Sequence, residues 1–136
     1  MTQEDKDLLL KDLCARLPYG VKLGFYASAT KQTYICTLLG LEPLENEPVI
    51  AKTENGSFYI LAGNVKPYLF PLSSMTEEQE KEFDQLLELE LKAINDEINH
   101  TQATAFEVDF YHKYHLDWRG LIPIGLANDA TGLNIY

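Results

Sequence analysis

The sequence predicts a single α+β domain, and three observations carry that prediction. Apolar residues recur at helical spacing from Leu9 to Leu17, the period falls to two between Val21 and Pro71, and helical spacing returns over a long stretch after Thr76. The expected architecture is an N-terminal helix, a small antiparallel sheet or SH3-like partly closed barrel, then a long acidic amphipathic helix and a short C-terminal helical segment. With 136 residues, 46% of them hydrophobic, the chain can bury one sizeable core but is short for two. Residues 1–136 are therefore read as one unit, with a helix plus β-rich half over 1–72 and a helical half over 75–136.

The first helix takes its buried stripe from Leu9, Leu10, Leu13, Cys14 and Leu17. Thr2 is placed to cap it, and acidic residues stand early, where the helix dipole favours them. Leu17-Pro18-Tyr19-Gly20 stops it. Val21, Leu23 and Phe25 then alternate with Lys22, Gly24 and Tyr26, the pattern of a half-buried strand. TYICTLLGL over 33–41 is apolar on both faces and reads as a more central strand. A Pro- and Glu-rich loop follows at Glu42 to Pro48. VIAKT and SFYILA flank Glu54-Asn55-Gly56, and Asn-Gly is a strong signal for a type I′ hairpin turn. Asn64 to Pro71 contains Pro67 and Pro71, which confines it to an edge strand or an irregular crossing.

Ser74 with Glu77 and Thr76 with Gln79 both match a capping box, so a long helix is expected to begin near Met75 to Glu77. Phe83, Leu87, Leu91, Ile94 and Ile98 run down one side of it, widened by Leu86. Between Glu77 and Glu97 nine acids stand against Lys81 and Lys92, a net of −7, so most of the charge sits on this helix. Phe106, Phe110 and Tyr114 are four apart and extend a helical face better than a strand, although Phe106 to Phe110 also alternates. Arg119 to Pro123 breaks that helix, and the residues through Gly132 read as turns.

The overall charge of −10 and pI near 4.6 argue against binding nucleic acid or an anionic membrane, because phosphate neutralisation needs a basic face. A partner is expected to be another protein, basic or apolar. No stretch approaches the roughly 18 apolar residues of a spanning helix, and MTQEDKDLLLKDL lacks the order of a signal peptide. The expected location is the cytoplasm. Cys14 and Cys36 lie in apolar periodic segments and read as buried free thiols.

Three pieces taken together, QEDKDLLLKDLCARLPYGVK, VKPYLFPLSSMTEEQ and YHLDWRGLIPIGLANDATG, resemble a group of small uncharacterised proteins of gut Bacteroidales genomes, often in prophages or mobile elements. The group has no established activity. The resemblance implies a bacterial or phage accessory role and assigns no catalytic residue.

Chemistry is concentrated in FYHKYHLDWRG, residues 110–120. His112 and His115 share one side of a helix and Asp117 follows, a three-ligand arrangement for zinc or a similar ion. The helical metal signatures add an intervening Glu or a further ligand, and neither is present. The competing reading makes the histidines cationic residues at a helix end, with Asp117 capping the turn at Trp118-Arg119-Gly120. No phosphate-binding glycine motif occurs, neither cysteine has an activating setting, and Ser73 and Ser74 serve as helix caps, so no catalytic residue or cofactor is assigned. Tyr111, Tyr114, Trp118 and Arg119 are the residue types that dominate binding hot spots. The acidic helix, through Glu78, Glu82 and Glu88, offers a second surface, one that imitates the charge track of DNA. The sequence thus points to a non-enzymatic interaction module, with a DNA-mimic inhibitor or a small metal-dependent enzyme as alternatives.

Overall fold

The computed structural model describes residues 2–43, 49–54, 56–60, 64–95 and 100–136. Helix α1 (Gln3–Arg16) begins on a capping box, with Thr2 Oγ1 accepting from the Asp5 N–H at 3.1 Å and Asp5 accepting from the Thr2 N–H. A short 3-10 turn, Leu17–Tyr19, ends in Gly20 at φ 68, a left-handed exit that glycine takes without strain.

Six strands follow: β1 (Lys22–Ala27), β2 (Gln32–Pro43), β3 (Val49–Thr53), β4 (Gly56–Ile60), β5 (Val65–Leu69) and β6 (Asn128–Asp129). They form one sheet in the order β4-β3-β2-β1-β5-β6, antiparallel except for the parallel pair β5 and β6. The fold is α+β, and the sheet is open, with β4 and β6 at its ends; it does not close into the expected barrel.

Several expectations about the strands are corrected. β5 is an interior strand, despite Pro67. Pro67 pairs with Leu23 of β1, while β6 joins only at Tyr68 and Leu69, beyond the residue that lacks an N–H. β6 itself lies where the sequence reads as turns, being too short to show a period. β2 is central, between β1 and β3 as expected, although only one of its apolar faces is buried: Cys36 and Leu38 point inward, but Ile35 is 45% and Leu39 62% exposed. Leu39 keeps the outward parity of Ile35, and the β2–β3 register shifts there, between Leu38 and Gly40. Thr53 pairs with Gly56, so Gly56 already belongs to β4. Asn55, most of the expected loop at 44–48, and residues 61–63 lie outside the described residues.

The core gathers Leu9 and Leu13 of α1, Val21, Leu23, Cys36, Leu38, Val65 and Leu69 of the sheet side, and Leu121, Leu126 and Ala127 of the C-terminal segment. Fully burying one such side chain contributes roughly 1.5–3 kcal/mol. Both ends of the chain thus close on the same face of the sheet. On the opposite face Tyr68 lies over Gly24, where an added Cβ would come within 3.1 Å of the ring.

Helix α2 (Glu77–Asn95) starts on the Thr76–Gln79 capping box alone. Ser74 instead donates to the Pro71 carbonyl within the 3-10 turn Leu72–Ser74. Helix α3 (His100–Lys113) confirms the helical reading of the Phe106–Tyr114 region. α2 and α3 pack antiparallel: Phe83 meets Phe110 and Tyr111 at ring distances of 5.2 and 5.7 Å, and Glu82 meets Lys113 and Tyr114. Of the expected stripe on α2, Phe83 and Leu87 are half-buried, Leu91 is 62% exposed, and Ile98 lies outside the described residues. Among the described residues no helix is long and apolar enough to cross a membrane.

Candidate functional site

Helix α3 stops because His115 turns the chain through φ 55, a left-handed conformation unusual for a residue other than glycine. The turned chain lies along the end of β5: Phe70 N–H donates to the His115 carbonyl and Asp117 N–H to the Phe70 carbonyl, each at 2.8 Å. Asp117 then accepts from the N–H groups of Leu121 and Ile122, both at 2.8 Å. These bonds seat Leu116 and Leu121 in the interior. Asp117 is therefore a buried cap, as the competing reading has it, although the turn it holds is the one beginning at Leu121.

The same corner contains charge that the periodicity does not reveal. Asp12 and Arg16 of α1 are both 0% exposed. Arg16 Nε donates to Asp12 Oδ2 at 2.8 Å, Arg16 Nη2 to the Leu116 carbonyl at 2.7 Å, and Arg119 Nε to Asp12 Oδ1 at 3.1 Å. The buried pair thus ties α1 to both ends of the 116–119 turn, Asp12 holding Arg119 and Arg16 holding the Leu116 carbonyl. The available signal was an opposite-charge pair four apart and in line with Leu9 and Leu13, a pattern far commoner on solvated surfaces. Cys14, assigned to the buried stripe, is exposed, while Cys36 is buried; both are free thiols.

His112 is 3% exposed, and its Nε2 accepts from the Trp118 indole N–H at 3.1 Å. Its ring packs against Tyr19, whose hydroxyl donates to Asp109 at 3.0 Å. Burial first, then the Arg16 guanidinium, lowers its pKa to about 4. His115 is also lowered to about 4, by burial and then by Arg16 and Lys22. Its ring stacks on Tyr136 at 3.7 Å and its Nδ1 is buried without a hydrogen bond. Both histidines are therefore neutral near pH 7, which corrects the expectation of cationic imidazoles at a helix end. Burial in a corner already holding two guanidiniums outweighs the helix dipole.

The three metal candidates are not assembled into a ligand set: His112 Nε2 is engaged by Trp118, both Asp117 oxygens hold backbone N–H groups, and His115 lies under Tyr136. Among the described residues no three His, Cys, Asp or Glu are grouped to hold a metal.

The expected aromatic corner is brought together in large part. The Arg119 guanidinium lies 4.2 Å from the Trp118 ring centre, and Trp118 stacks on Tyr111 at 6.2 Å and 17°. All three are half-buried. Tyr114 stands apart, hydrogen bonded through its hydroxyl to Glu82. No family model matches this chain, no curated protein is similar to it in sequence, and no solved structure matches it.

Of the acidic face, Glu78 and Glu88 are exposed, with Glu77, Glu80 and Asp84 beside them. Glu82 is taken by Tyr114 and by Lys113 at 2.9 Å, and these two hydrogen bonds, Tyr114 first, hold its carboxyl below the usual range. Glu82 is therefore not equivalent to the solvated Glu78 and Glu88 of the expected acidic surface.

Proposed function

We propose that this chain is a non-enzymatic protein-interaction module, acting as an accessory factor in a bacterial cytoplasm or in a phage or mobile-element setting. Its contact surface is the corner around Tyr111, Trp118 and Arg119, with Tyr114 and Glu82 at its margin. The observation that carries this reading is the stacked order Tyr111, Trp118, Arg119, anchored from below by the Arg119–Asp12 ion pair. Aromatic and arginine side chains already held in one arrangement lose little freedom on binding, which is what makes such residues effective anchors.

The test is capture of partners from a host-like bacterial lysate by the tagged chain, at low salt and at physiological salt, where charges are screened over about 8 Å. A stoichiometric partner kept at both salts, and lost in the Trp118→Ala and Arg119→Ala proteins, is the expected result. A partner released by salt, and lost on charge reversal at Glu78, Glu82 and Glu88, moves the interface to the acidic helix and the function to mimicry of DNA. Failure to capture any partner at either salt counts against both.

A further inference from the structure

His112 lies beneath the contact surface rather than on it. It is 3% exposed, and its Nε2 accepts from the Trp118 indole N–H at 3.1 Å. A neutral imidazole has one lone pair and one N–H, so this bond fixes the lone pair on Nε2 and the proton on Nδ1. The indole N–H donates and never accepts, so the bond cannot reverse its direction. Once Nε2 is protonated, two donors face each other and the indole is left without its partner.

The charged and titratable groups around the ring are Asp12 and Arg16 of α1, Tyr19 of the 3-10 turn, Asp109 of α3 and Arg119 beyond it. Both guanidiniums oppose a further positive charge, while Asp12 is engaged by Arg16 and Arg119, and Asp109 by Tyr19. Trp118 in turn carries the order of the surface, stacked on Tyr111 at 17° with the Arg119 guanidinium 4.2 Å from its ring centre. We propose that His112 is the positioning residue of this surface: when neutral it holds the indole in order with Tyr111 and Arg119, and when protonated it lets the indole go. The inference rests on the interaction reading for its meaning in binding, whereas the movement of the indole is tested without a partner.

Only the side chain has to move, because the chain on either side of Trp118 is held. Asp117 N–H donates to the Phe70 carbonyl, and the Leu121 and Ile122 N–H groups donate to the Asp117 carboxylate. Burial, and then the Arg16 guanidinium, lower the His112 pKa from 6.5 to about 4 while the indole is in place. The held form therefore binds a proton more weakly than the released one. The order is complete above pH 6.5 and is lost as pH falls toward 4.

Trp118 is the only tryptophan of the chain, so a nitrogen–proton correlation spectrum of the full protein contains one indole N–H signal. On acidification that signal is expected to shift from the bonded to the free indole position, with a midpoint between 4 and 6.5, while the backbone amide signals stay dispersed. His112→Gln, whose side-chain oxygen supplies an acceptor that does not titrate, is expected to keep the bonded position throughout. His112→Phe has no acceptor and should show the free position already at neutral pH; it serves equally if the glutamine variant does not fold. A wild-type signal that stays put until the amide dispersion collapses, or an undiminished shift in a folded variant, overturns the proposal. A captured partner should be kept by His112→Gln and lost by His112→Phe. Signals that behave as expected, with no partner that depends on Trp118, uphold the positioning of the indole and overturn the interaction reading instead.

Discussion

Leu23 on β1 and Leu91 on α2 are both leucines within regular structure, yet the first is 0% and the second 62% exposed. The difference reflects how many elements close over each region. α1, the sheet and the C-terminal segment converge on one face, so Leu23 is enclosed by residues from both ends of the chain. α2 rests chiefly on α3, and none of its described side chains is fully buried. One half of the molecule is therefore a packed core pinned by a buried charge cluster. The other is an aromatic seam between two helices, whose amides are expected to open at lower free energy.

The contrast is broken most severely at its anchor. Asp12→Ala leaves Arg16 buried without its counter-ion, and a loss of about 3–5 kcal/mol is expected in urea unfolding. A smaller change than that would mean that water reaches Arg16. Next comes the pair of leucines themselves. Leu23→Ala is expected to lose roughly 2–5 kcal/mol, and Leu91→Ala to stay within about 0.5 kcal/mol. Similar values for the two would erase the distinction between core and seam.

Acidification acts on the core side. His112 and His115 have folded pKa values of about 4 against an ordinary 6.5, so between those values the unfolded chain binds more protons. Stability of the core side is present above pH 6.5 and falls as pH drops toward 4, with a slope of at most about 1.4 kcal/mol per pH unit for His112. Denaturation midpoints over this range should show a shallower slope in His112→Phe protein. The smallest effect is expected at Lys113, whose ion pair with Glu82 is 56% and 36% exposed on its two sides. Lys113→Ala should change stability by no more than about 1 kcal/mol, and added salt should diminish the difference.

Much of the architecture was legible because it follows from local repetition. The leucines of α1, the alternation of β1 and the Thr76–Gln79 box each specify an element within a few residues of chain. Other features depend on partners distant in sequence. β6 is a two-residue strand that exists because Tyr68 and Leu69 offer it an edge. Pro67 is tolerated inside the sheet because that neighbour joins only after it. The aromatic corner was legible as a cluster of residue types, but its stacking order and its anchor were not. Arg119 reaches Asp12 across 107 positions, a separation at which no periodicity operates.

By itself the sequence determined an acidic α+β chain, the starts of α1 and α2, most of its strands, and the concentration of aromatic and charged groups in residues 110–120. The tertiary structure alone decided that Asp12 and Arg16 are interior, that His112 and His115 are neutral, and that the sheet stays open. The physical reason is that spacing along a chain records which face a side chain shares with its near neighbours, whereas desolvation and charge pairing depend on which distant segment covers that face.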